Sequence, residues 1–204
     1  MPYAKVIIVI FCSYVLGCFN TGYYLVRLRT GKDIRSLGSG NTGTRNVGRF
    51  MGKLGMVIAF LGDAGKGAVV VLAALHFELD TWAVILAITA VVAGHIWPIQ
   101  LNLRGGKGIA TSLGALAVFD WQLVAVLIAV IGLAFVLIRQ FTLSGLIAVL
   151  LTPLASFALG QPLIVVLELC ALTAIVLIAH RIDIHFIIKT MRGRGDKSRT
   201  KLPD

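Results

Sequence analysis

Residues 54–77 read LGMVIAFLGDAGKGAVVVLAALHF, an apolar run that is interrupted near its centre by Asp63 and Lys66. About 20 apolar residues in a helix cross the roughly 30 Å hydrocarbon core of a bilayer, so this stretch is long enough to span a membrane. Ionisable residues at such depth are costly and usually face a wet cavity. The stretch therefore predicts a membrane-spanning helix beside a polar pocket.

The rest of the chain has the same apolar character. Of its 204 residues, 58% are hydrophobic and 14% are charged, whereas a soluble domain is about 45–50% apolar and about 25% charged. We predict an all-α integral membrane protein with about seven crossings, in one domain over residues 1–190 followed by a basic tail over 191–204. The crossings are expected at 6–26, 54–77, 82–101, 109–119, 122–138, 143–159 and 163–179.

The basic residues give a predicted orientation. If the chain crosses at each apolar run, every Lys and Arg except Lys5 falls on one side of the membrane. Excess Lys and Arg marks the cytoplasmic side. We therefore predict the amino end outside, the carboxyl end in the cytoplasm, and polar loops that dip into the membrane from the cytoplasmic side. The same rule explains the net charge of +10 without a nucleic-acid partner.

The first Gly-rich segment, residues 38–46, reads GSGNTGTRN. No βαβ unit surrounds it, so it is not a dinucleotide fingerprint. Its glycines nevertheless let backbone N–H groups converge on an anion, and its polar side chains add donors. We predict an anion site here, the alternative being a flexible solvated loop. The candidate residues are Ser39, Gly40, Asn41, Gly43, Thr44, Arg45, Asn46 and Arg49.

The second Gly-rich segment, residues 104–111, reads RGGKGIAT. It lacks the strand, the first glycine and the Ser/Thr of a nucleotide-binding P-loop, which argues against ATP hydrolysis. A Gly-Gly-Lys-Gly turn that opens a helix still offers a phosphate free N–H groups, the positive end of the helix dipole and an ammonium. Alternatively, its lysine serves only as a topology charge. The candidate residues are Gly105, Gly106, Lys107, Gly108 and Thr111.

Other polar residues lie at or inside the crossings. Asp63 and Lys66 are three residues apart on one helix face, so they either cancel each other's charge or present Lys66 to the pocket. His95 either bonds the backbone at a helix end or faces the pocket. His180 and Asp183 either cap the last crossing or join the site. No metal-ligand spacing is visible, and we predict neither a metal nor a cofactor.

Taken in order, these blocks resemble the PlsY family, the bacterial acyl-phosphate:glycerol-3-phosphate acyltransferases. That family shows a Gly-Ser-Gly-Asn-x-Gly-Ala-Thr-Asn loop, an Asp-x-x-Lys-Gly segment, a Gly-His-x-x-Pro segment followed by Gly-Gly-Lys-Gly-x-Ala-Thr, and a terminal His-Arg-x-Asn-Ile block. The match extends from the first crossing to residue 186. By position, the resemblance implicates Ser39, Asn41, Asn46, Arg49, Asp63, Lys66, His95, Lys107, Thr111 and His180.

The chain departs from the family pattern at a few positions. Thr44 and Arg45 stand where the family usually has Ala-Thr, and Asp183 stands where it usually has Asn. Thr142 keeps the hydroxyl of a family serine that follows an arginine, here Arg139. These departures add one cation and one acid to the predicted site.

The resemblance implies transfer of a fatty acyl group from an acyl-phosphate to the sn-1 hydroxyl of glycerol 3-phosphate. The products would be lysophosphatidic acid and phosphate, in an early step of phospholipid biosynthesis. It also implies a monomer among membrane lipids in the bacterial cytoplasmic membrane, with the active site facing the cytoplasm. The expected catalytic residues are Ser39, Asn41, Lys107 and His180, and the base is either His180 or a substrate phosphate oxygen.

A competing interpretation is a transporter for an anionic, phosphate-containing metabolite. Broken helices and charges inside the membrane fit a transporter. The external side, however, has almost no polar vestibule, and the sequence shows no internal repeat. These two observations favour the enzyme.

Overall fold

A computed structural model describes residues 2–192, with side chains over 3–190, as an all-helical chain. Within that range there are nine α-helices, two short 3₁₀ turns and no strand, so the predicted all-α class is confirmed. The tail predicted over 191–204 lies, from residue 193 onward, outside the described residues. The helices are α1 (Pro2–Cys18), α2 (Thr21–Thr30), α3 (Thr44–His76), α4 (Thr81–Ile96), α5 (Ile109–Phe119), α6 (Trp121–Ile138), α7 (Phe141–Ala158), α8 (Leu163–Ala179) and α9 (Arg181–Arg192); the 3₁₀ turns are Ile34–Ser36 and Ile99–Leu101.

The apolar helical segments coincide with the seven predicted runs. Five are long and apolar enough to cross a membrane on their own, and α8 with α9 makes a sixth if this pair, bent by 66°, is one span. The remaining run is the short apolar helix α5. The spans agree with the integral membrane class, while the orientation and the full set of seven crossings stay predictions. The five long segments are Tyr3–Thr30, Thr44–His76, Thr81–Leu101, Trp121–Ile138 and Phe141–Ala158.

Two irregularities were not predicted. The first run breaks at Phe19 and Asn20, so that α1 and α2 are separate helices. The long helix α3 starts inside the Gly-rich loop segment, ten residues before the expected start at residue 54, and it bends at Gly52, which has φ 69°. The first break lies next to the Gly-rich loop, where Asn20 accepts from the hydroxyl of Thr42 at 2.7 Å, and the bend at Gly52 comes eight residues after the start of α3.

The helix α4 is the centre of the bundle. Its side chains are buried along nearly its whole length, for example at Ile85, Ile88 and Val92, and it packs against α1, α3, α5 and α8. Large apolar side chains elsewhere, such as Ile7 and Leu137, are exposed on the outside of the bundle. An apolar exterior around a packed interior is what a surrounding lipid phase requires.

The short helix α5 is held against α3 by small residues. A Cβ on Gly67 would overlap the carbonyl of Thr111, and a Cβ on Gly114 would overlap the carbonyl of Ala64. Close backbone approach at small residues is the usual packing mode in membranes, where the hydrophobic effect gives no driving force between helices. This packing shields α5 from lipid and fixes its amino end, which follows the second Gly-rich segment.

Candidate active site

The Gly-rich loops and the polar helix ends meet at one end of the bundle. The side-chain amide of Asn41, in the first loop, donates to the carbonyl of Gly105, in the second, at 3.4 Å. The ammonium of Lys107, also in the second loop, forms an ion pair with Asp183 on α9. Lys66 on α3 joins the same cluster from the bundle interior. The structure therefore brings together all four sequence blocks, although they are far apart in the chain.

The ammonium of Lys66 is buried and surrounded by acceptors. It donates to the carbonyls of Gly17 at 2.9 Å and Phe19 at 2.6 Å. It also lies 2.9 Å from Nδ1 of His95 and 3.2 Å from the carboxylate of Asp63. An ammonium has three donors, so the protein itself satisfies this one. The geometry corresponds to the internal ion pair, one of the two interpretations offered above; substrate binding by these side chains stays a prediction.

The break between α1 and α2 supplies the carbonyls that Lys66 binds. Unwound backbone at membrane depth needs partners inside the protein. Asn20 meets this need from within the break, because its amide lies 3.3 Å from both the carbonyl of Cys18 and that of His95. Thr21 donates through its backbone N–H at 3.2 Å and its hydroxyl at 3.1 Å to Asp63. Sequence reasoning missed Asn20 and Thr21; their signal was a polar pair inside an apolar run.

His95 connects the buried cluster to the second loop. Its carbonyl accepts from the backbone N–H of Gly106 at 3.0 Å, and a Cβ on Gly106 would overlap its ring at Nε2. Because an ammonium only donates, a neutral His95 accepts from Lys66 at Nδ1 and carries its proton on Nε2. The ring of His95 therefore packs against the second loop at Gly106, where only glycine fits.

The first loop is ordered by two asparagines. The side-chain oxygen of Asn46 accepts from the backbone N–H of Ser39 at 3.0 Å, and its amide lies 3.0 Å from the carbonyl of Leu37 and 2.8 Å from that of Asn41. The side-chain oxygen of Asn41 accepts from the backbone N–H of Gly43 at 2.7 Å. These bonds order the loop and give Asn46 a positioning role, while anion binding by the loop stays a prediction. They also leave Ser39 and Gly40 exposed at the rim.

A second set of polar contacts ties this loop to the rest of the site. Thr42 donates to the side-chain oxygen of Asn20 at 2.7 Å. Arg35 forms an ion pair with Asp33 at 2.7 Å and donates to the carbonyl of Leu101 at 2.6 Å. The hydrogen bonds from Arg35 lower the pKa of Asp33, and the same contacts raise the pKa of Arg35. Both groups are charged near neutral pH, and their contacts hold the segment before the first loop against the carbonyl of Leu101.

The cations at the rim differ in their partners. The first of these cations, Arg45, is the second residue of α3, which begins at Thr44 directly after Gly43. Arg45 donates to the hydroxyl of Thr142 at 2.7 Å and lies over the ring of Phe141, 5.7 Å from its centre. The structure thus pairs two of the departures from the family pattern with each other. Arg49 is exposed and has no ion-pair partner among the side chains that the structure describes.

The second loop ends in the amino end of α5. Gly108 is the residue before the helix, with φ 88°, and the first backbone N–H groups of a helix have no acceptor within it. Thr111, in the first turn, is buried, and its hydroxyl has no hydrogen-bond partner in the described part of the chain. An anion site formed by these groups and the ammonium of Lys107 stays a prediction.

His180 follows the end of α8 and directly precedes α9, the helix that carries Asp183. It is buried, and its Nδ1 lies 2.8 Å from the carbonyl of Val176. A carbonyl accepts only, so Nδ1 carries a proton and Nε2 is the acceptor in the neutral ring. His180 is therefore oriented by its own helix.

An apolar cavity begins directly beneath these polar groups. It lies between α5, α6, α7 and α8, and Ile109, Leu127, Ala148 and Val176 are among its lining residues. Ile109 is the first residue of α5, and Val176 is the partner of His180. The polar loops thus adjoin an apolar space among the helices.

This fold and site define a polytopic, all-helical membrane protein whose Gly-rich, cationic loops gather at one end of the bundle. The family model for glycerol-3-phosphate acyltransferase matches residues 7–190. Glycerol-3-phosphate acyltransferase 1 of Desulfitobacterium hafniense (strain Y51) is 44% identical over 182 residues, which cover 89% of this chain and 90% of that protein. The glycerol-3-phosphate acyltransferase of Prochlorococcus marinus (strain NATL1A) is 36% identical over 195 residues, with 92% and 96% covered.

Solved structures agree with these relatives. The crystal structure of PlsY (YgiH), an integral membrane glycerol 3-phosphate acyltransferase, in its glycerol 3-phosphate form has a TM-score of 0.84 to this chain at 29% identity, covering 91% of this chain and 93% of that one. Its lysophosphatidic acid form has a TM-score of 0.82 at 27% identity. The chain belongs to the glycerol-3-phosphate acyltransferase family. It is an acyltransferase, and the resemblance noted in the sequence is confirmed.

Proposed function

We propose that this protein uses an acyl-phosphate as its acyl donor and transfers the acyl group to the sn-1 hydroxyl of glycerol 3-phosphate in the cluster of polar loops. The observation that supports this most strongly is the meeting of the two Gly-rich segments through Asn41 and Gly105. A reaction between two phosphate compounds needs two anion sites within reach of each other. The two loops offer one each.

The phosphate of the donor binds at the second loop. Lys107 supplies an ammonium, and the amino end of α5 supplies backbone N–H groups and the positive end of the helix dipole. The backbone N–H groups of Gly105 and Gly106 already donate to the carbonyls of Ile96 and His95, which fixes the loop, so the phosphate meets Lys107 and the first turn of α5. A phosphate leaving group is stabilised where cationic and N–H donors surround the charge that develops on it.

The acyl chain of the donor extends into the apolar cavity. The cavity starts at Ile109 and Val176, next to the proposed phosphate site. An alkyl chain gains about 0.8 kcal/mol for each CH₂ that leaves water, so this placement anchors the donor by its chain and its phosphate together. The carbonyl carbon then lies at the boundary between the two environments.

Glycerol 3-phosphate binds at the first loop. The exposed backbone around Ser39 and Gly40 is accessible from the polar end of the bundle, as is the cation of Arg49, which has no ion-pair partner within residues 3–190. A soluble dianion needs such an opening to water, which the apolar flanks of the bundle do not offer. We place this opening in the cytoplasm because, with a crossing at each apolar run, every Lys and Arg except Lys5 falls on the same side of the membrane as these loops.

The transfer needs little chemistry from the protein. The sn-1 oxygen attacks the carbonyl carbon, the bond from that carbon to the phosphate oxygen breaks, and phosphate leaves with the electron pair. The hydroxyl proton passes to a phosphate oxygen of the substrate. Holding both reactants at attack distance lowers the barrier by about 7–11 kcal/mol. His180 is the alternative base, through Nε2.

The test is a purified, detergent-solubilised assay without a second compartment. Palmitoyl-phosphate and a palmitoyl thioester are each offered with glycerol 3-phosphate, and lysophosphatidic acid and inorganic phosphate are both measured. We expect product only from the acyl-phosphate, with one phosphate released per lysophosphatidic acid. Product from the thioester alone would refute the proposed donor. The same assay separates the enzyme from the competing transporter, which needs a sealed vesicle to show any activity.

A further inference from the structure

The Gly-Gly-Lys-Gly turn has its own counter-ion. The ammonium of Lys107 is paired with the carboxylate of Asp183, on the first turn of α9. The two side chains are 29% and 27% exposed, so this pair lies at the rim of the site and not in the bundle interior. The contact joins residues 76 positions apart, and it forms because α9 turns away from α8 by 66°.

A carboxylate and a phosphate present the same kind of acceptor oxygen to an ammonium. In this structure the carboxylate of Asp183 is already paired with the ammonium of Lys107, next to the backbone N–H groups in the first turn of α5. An arriving phosphate must therefore displace that carboxylate or bind beside it against a like charge. Either event weakens phosphate binding relative to a site with a free ammonium.

We propose that Asp183 is a built-in competitor for the phosphate group in this enzyme. Its carboxylate neutralises Lys107 in the empty site, is displaced when the acyl-phosphate binds, and returns to Lys107 as inorganic phosphate leaves. The inference rests on the proposed function in one respect, namely that Lys107 holds a phosphate.

The competitor has a physical advantage after the transfer step. Inorganic phosphate presents the same kind of acceptor oxygen as the phosphate of the donor. Without a competitor it would remain bound to the ammonium of Lys107 and the N–H groups in the first turn of α5. Product release limits the turnover of many enzymes. The carboxylate of Asp183 belongs to the same chain, so it replaces phosphate at the ammonium of Lys107 without having to diffuse from solution. It thereby lowers the affinity of the site for phosphate.

The direct test measures inorganic phosphate binding to the full-length, purified protein by titration calorimetry. In Asp183→Asn, which keeps the side-chain shape, the Kd for phosphate should decrease about tenfold, as expected when a partly exposed charged partner is removed. The inhibition constant of phosphate in the acyltransferase assay should decrease by the same factor. The matched control is Asp80→Asn, because Asp80 is exposed, makes no capping bond and lies at the other end of α3 and α4. It changes the net charge equally and should leave the Kd unchanged.

A mutant cycle tests whether the effect passes through Lys107. Lys107→Ala is made in the natural background and in Asp183→Asn, and the Kd for phosphate is measured in each. We expect a larger loss of affinity in the Asp183→Asn background, because there the ammonium is free. Equal losses in both backgrounds would overturn the proposal, as would phosphate binding by Asp183→Asn that is no tighter than in the natural protein. Thermal unfolding identifies any misfolded variant, and Asp183→Ser then replaces Asp183→Asn in the same comparison.

The result is distinguishable from a failure of the proposed function. Phosphate binding is measured without an acyl donor, so it does not depend on which donor the enzyme uses. No release of phosphate from an acyl-phosphate would refute the donor but leave the competitor testable. No binding of inorganic phosphate to any of the proteins would refute the competitor itself.

Discussion

Two lysine–aspartate pairs of the same composition serve this protein in different ways. The pair of Lys66 and Asp63 has side chains 4% and 1% exposed, and three further groups of the protein bind the ammonium. The pair of Lys107 and Asp183 is over a quarter exposed, and Lys107 has a single hydrogen-bond partner within the described residues. A fully satisfied buried pair fixes the fold. A pair at the rim can exchange one partner for a ligand.

The interior pair also explains how a broken helix persists inside a membrane. The carbonyls of Gly17 and Phe19 lose their helical partners at the break, and Lys66 binds both. The break in turn places Asn20 where it connects the first loop, through Thr42, to the end of α4. The interior pair thus positions the loops, while the rim pair lies among them.

The largest effect is expected from breaking the interior pair. Lys66→Met leaves Asp63 as an uncompensated buried charge and frees the two carbonyls at the break, so it should destabilise the protein by about 3–5 kcal/mol. Thermal unfolding in detergent measures this. The double variant Asp63→Asn/Lys66→Met removes both charges and should recover part of the loss. A Lys66→Met protein that stays stable but is inactive would instead make Lys66 a substrate-binding cation.

The next largest effect is expected from Lys107 at the rim of the site, and it should appear in activity but not in stability. Lys107→Ala should lower kcat/KM for the acyl-phosphate about 10²–10³-fold, the usual loss when one donor to a developing negative charge is removed. Its unfolding temperature should stay near that of the natural protein, because the pair is partly exposed. Lys53→Ala is the matched control: Lys53 is an exposed cation on α3, outside the cluster of loops. Retention of full activity in Lys107→Ala would refute the proposed site.

The two pairs also differ in whether the sequence predicts them: the interior pair follows from local spacing, whereas the rim pair is visible only in the structure. Long apolar runs predicted the helices well, because about 20 apolar residues have few alternatives to crossing a bilayer. The break at Asn20 was missed because two polar residues hardly change the hydropathy of a run. The ion pair of Lys66 with Asp63 was predictable from a spacing of three on a helix. The ion pair of Lys107 with Asp183 was not, because it depends on a bend between α8 and α9.

A smaller effect is expected at His180. If a substrate phosphate oxygen accepts the hydroxyl proton, His180→Ala should reduce kcat less than about tenfold, below the roughly 10²–10⁴ that a general base contributes. The measurement uses saturating concentrations of both substrates, so that weakened binding does not enter. His180→Asn, which can still donate to the carbonyl of Val176, controls for the lost hydrogen bond. A loss of 10²-fold or more in both variants would make His180 the base.

The smallest effect is expected from the second pair at the rim, Arg45 and Thr142. Arg45 is exposed, and ion pairs and hydrogen bonds of exposed cations contribute little to stability because water competes for them. Thr142→Val removes the acceptor at 2.7 Å but keeps the shape and leaves Arg45 over Phe141. The unfolding temperature should not change measurably, and the KM for glycerol 3-phosphate should change by less than about threefold, since a freed Arg45 stays beside the first loop. A large change in kcat at constant KM would show that the Arg45–Thr142 contact takes part in the transfer step, which would make this pair resemble that of Lys107 and Asp183.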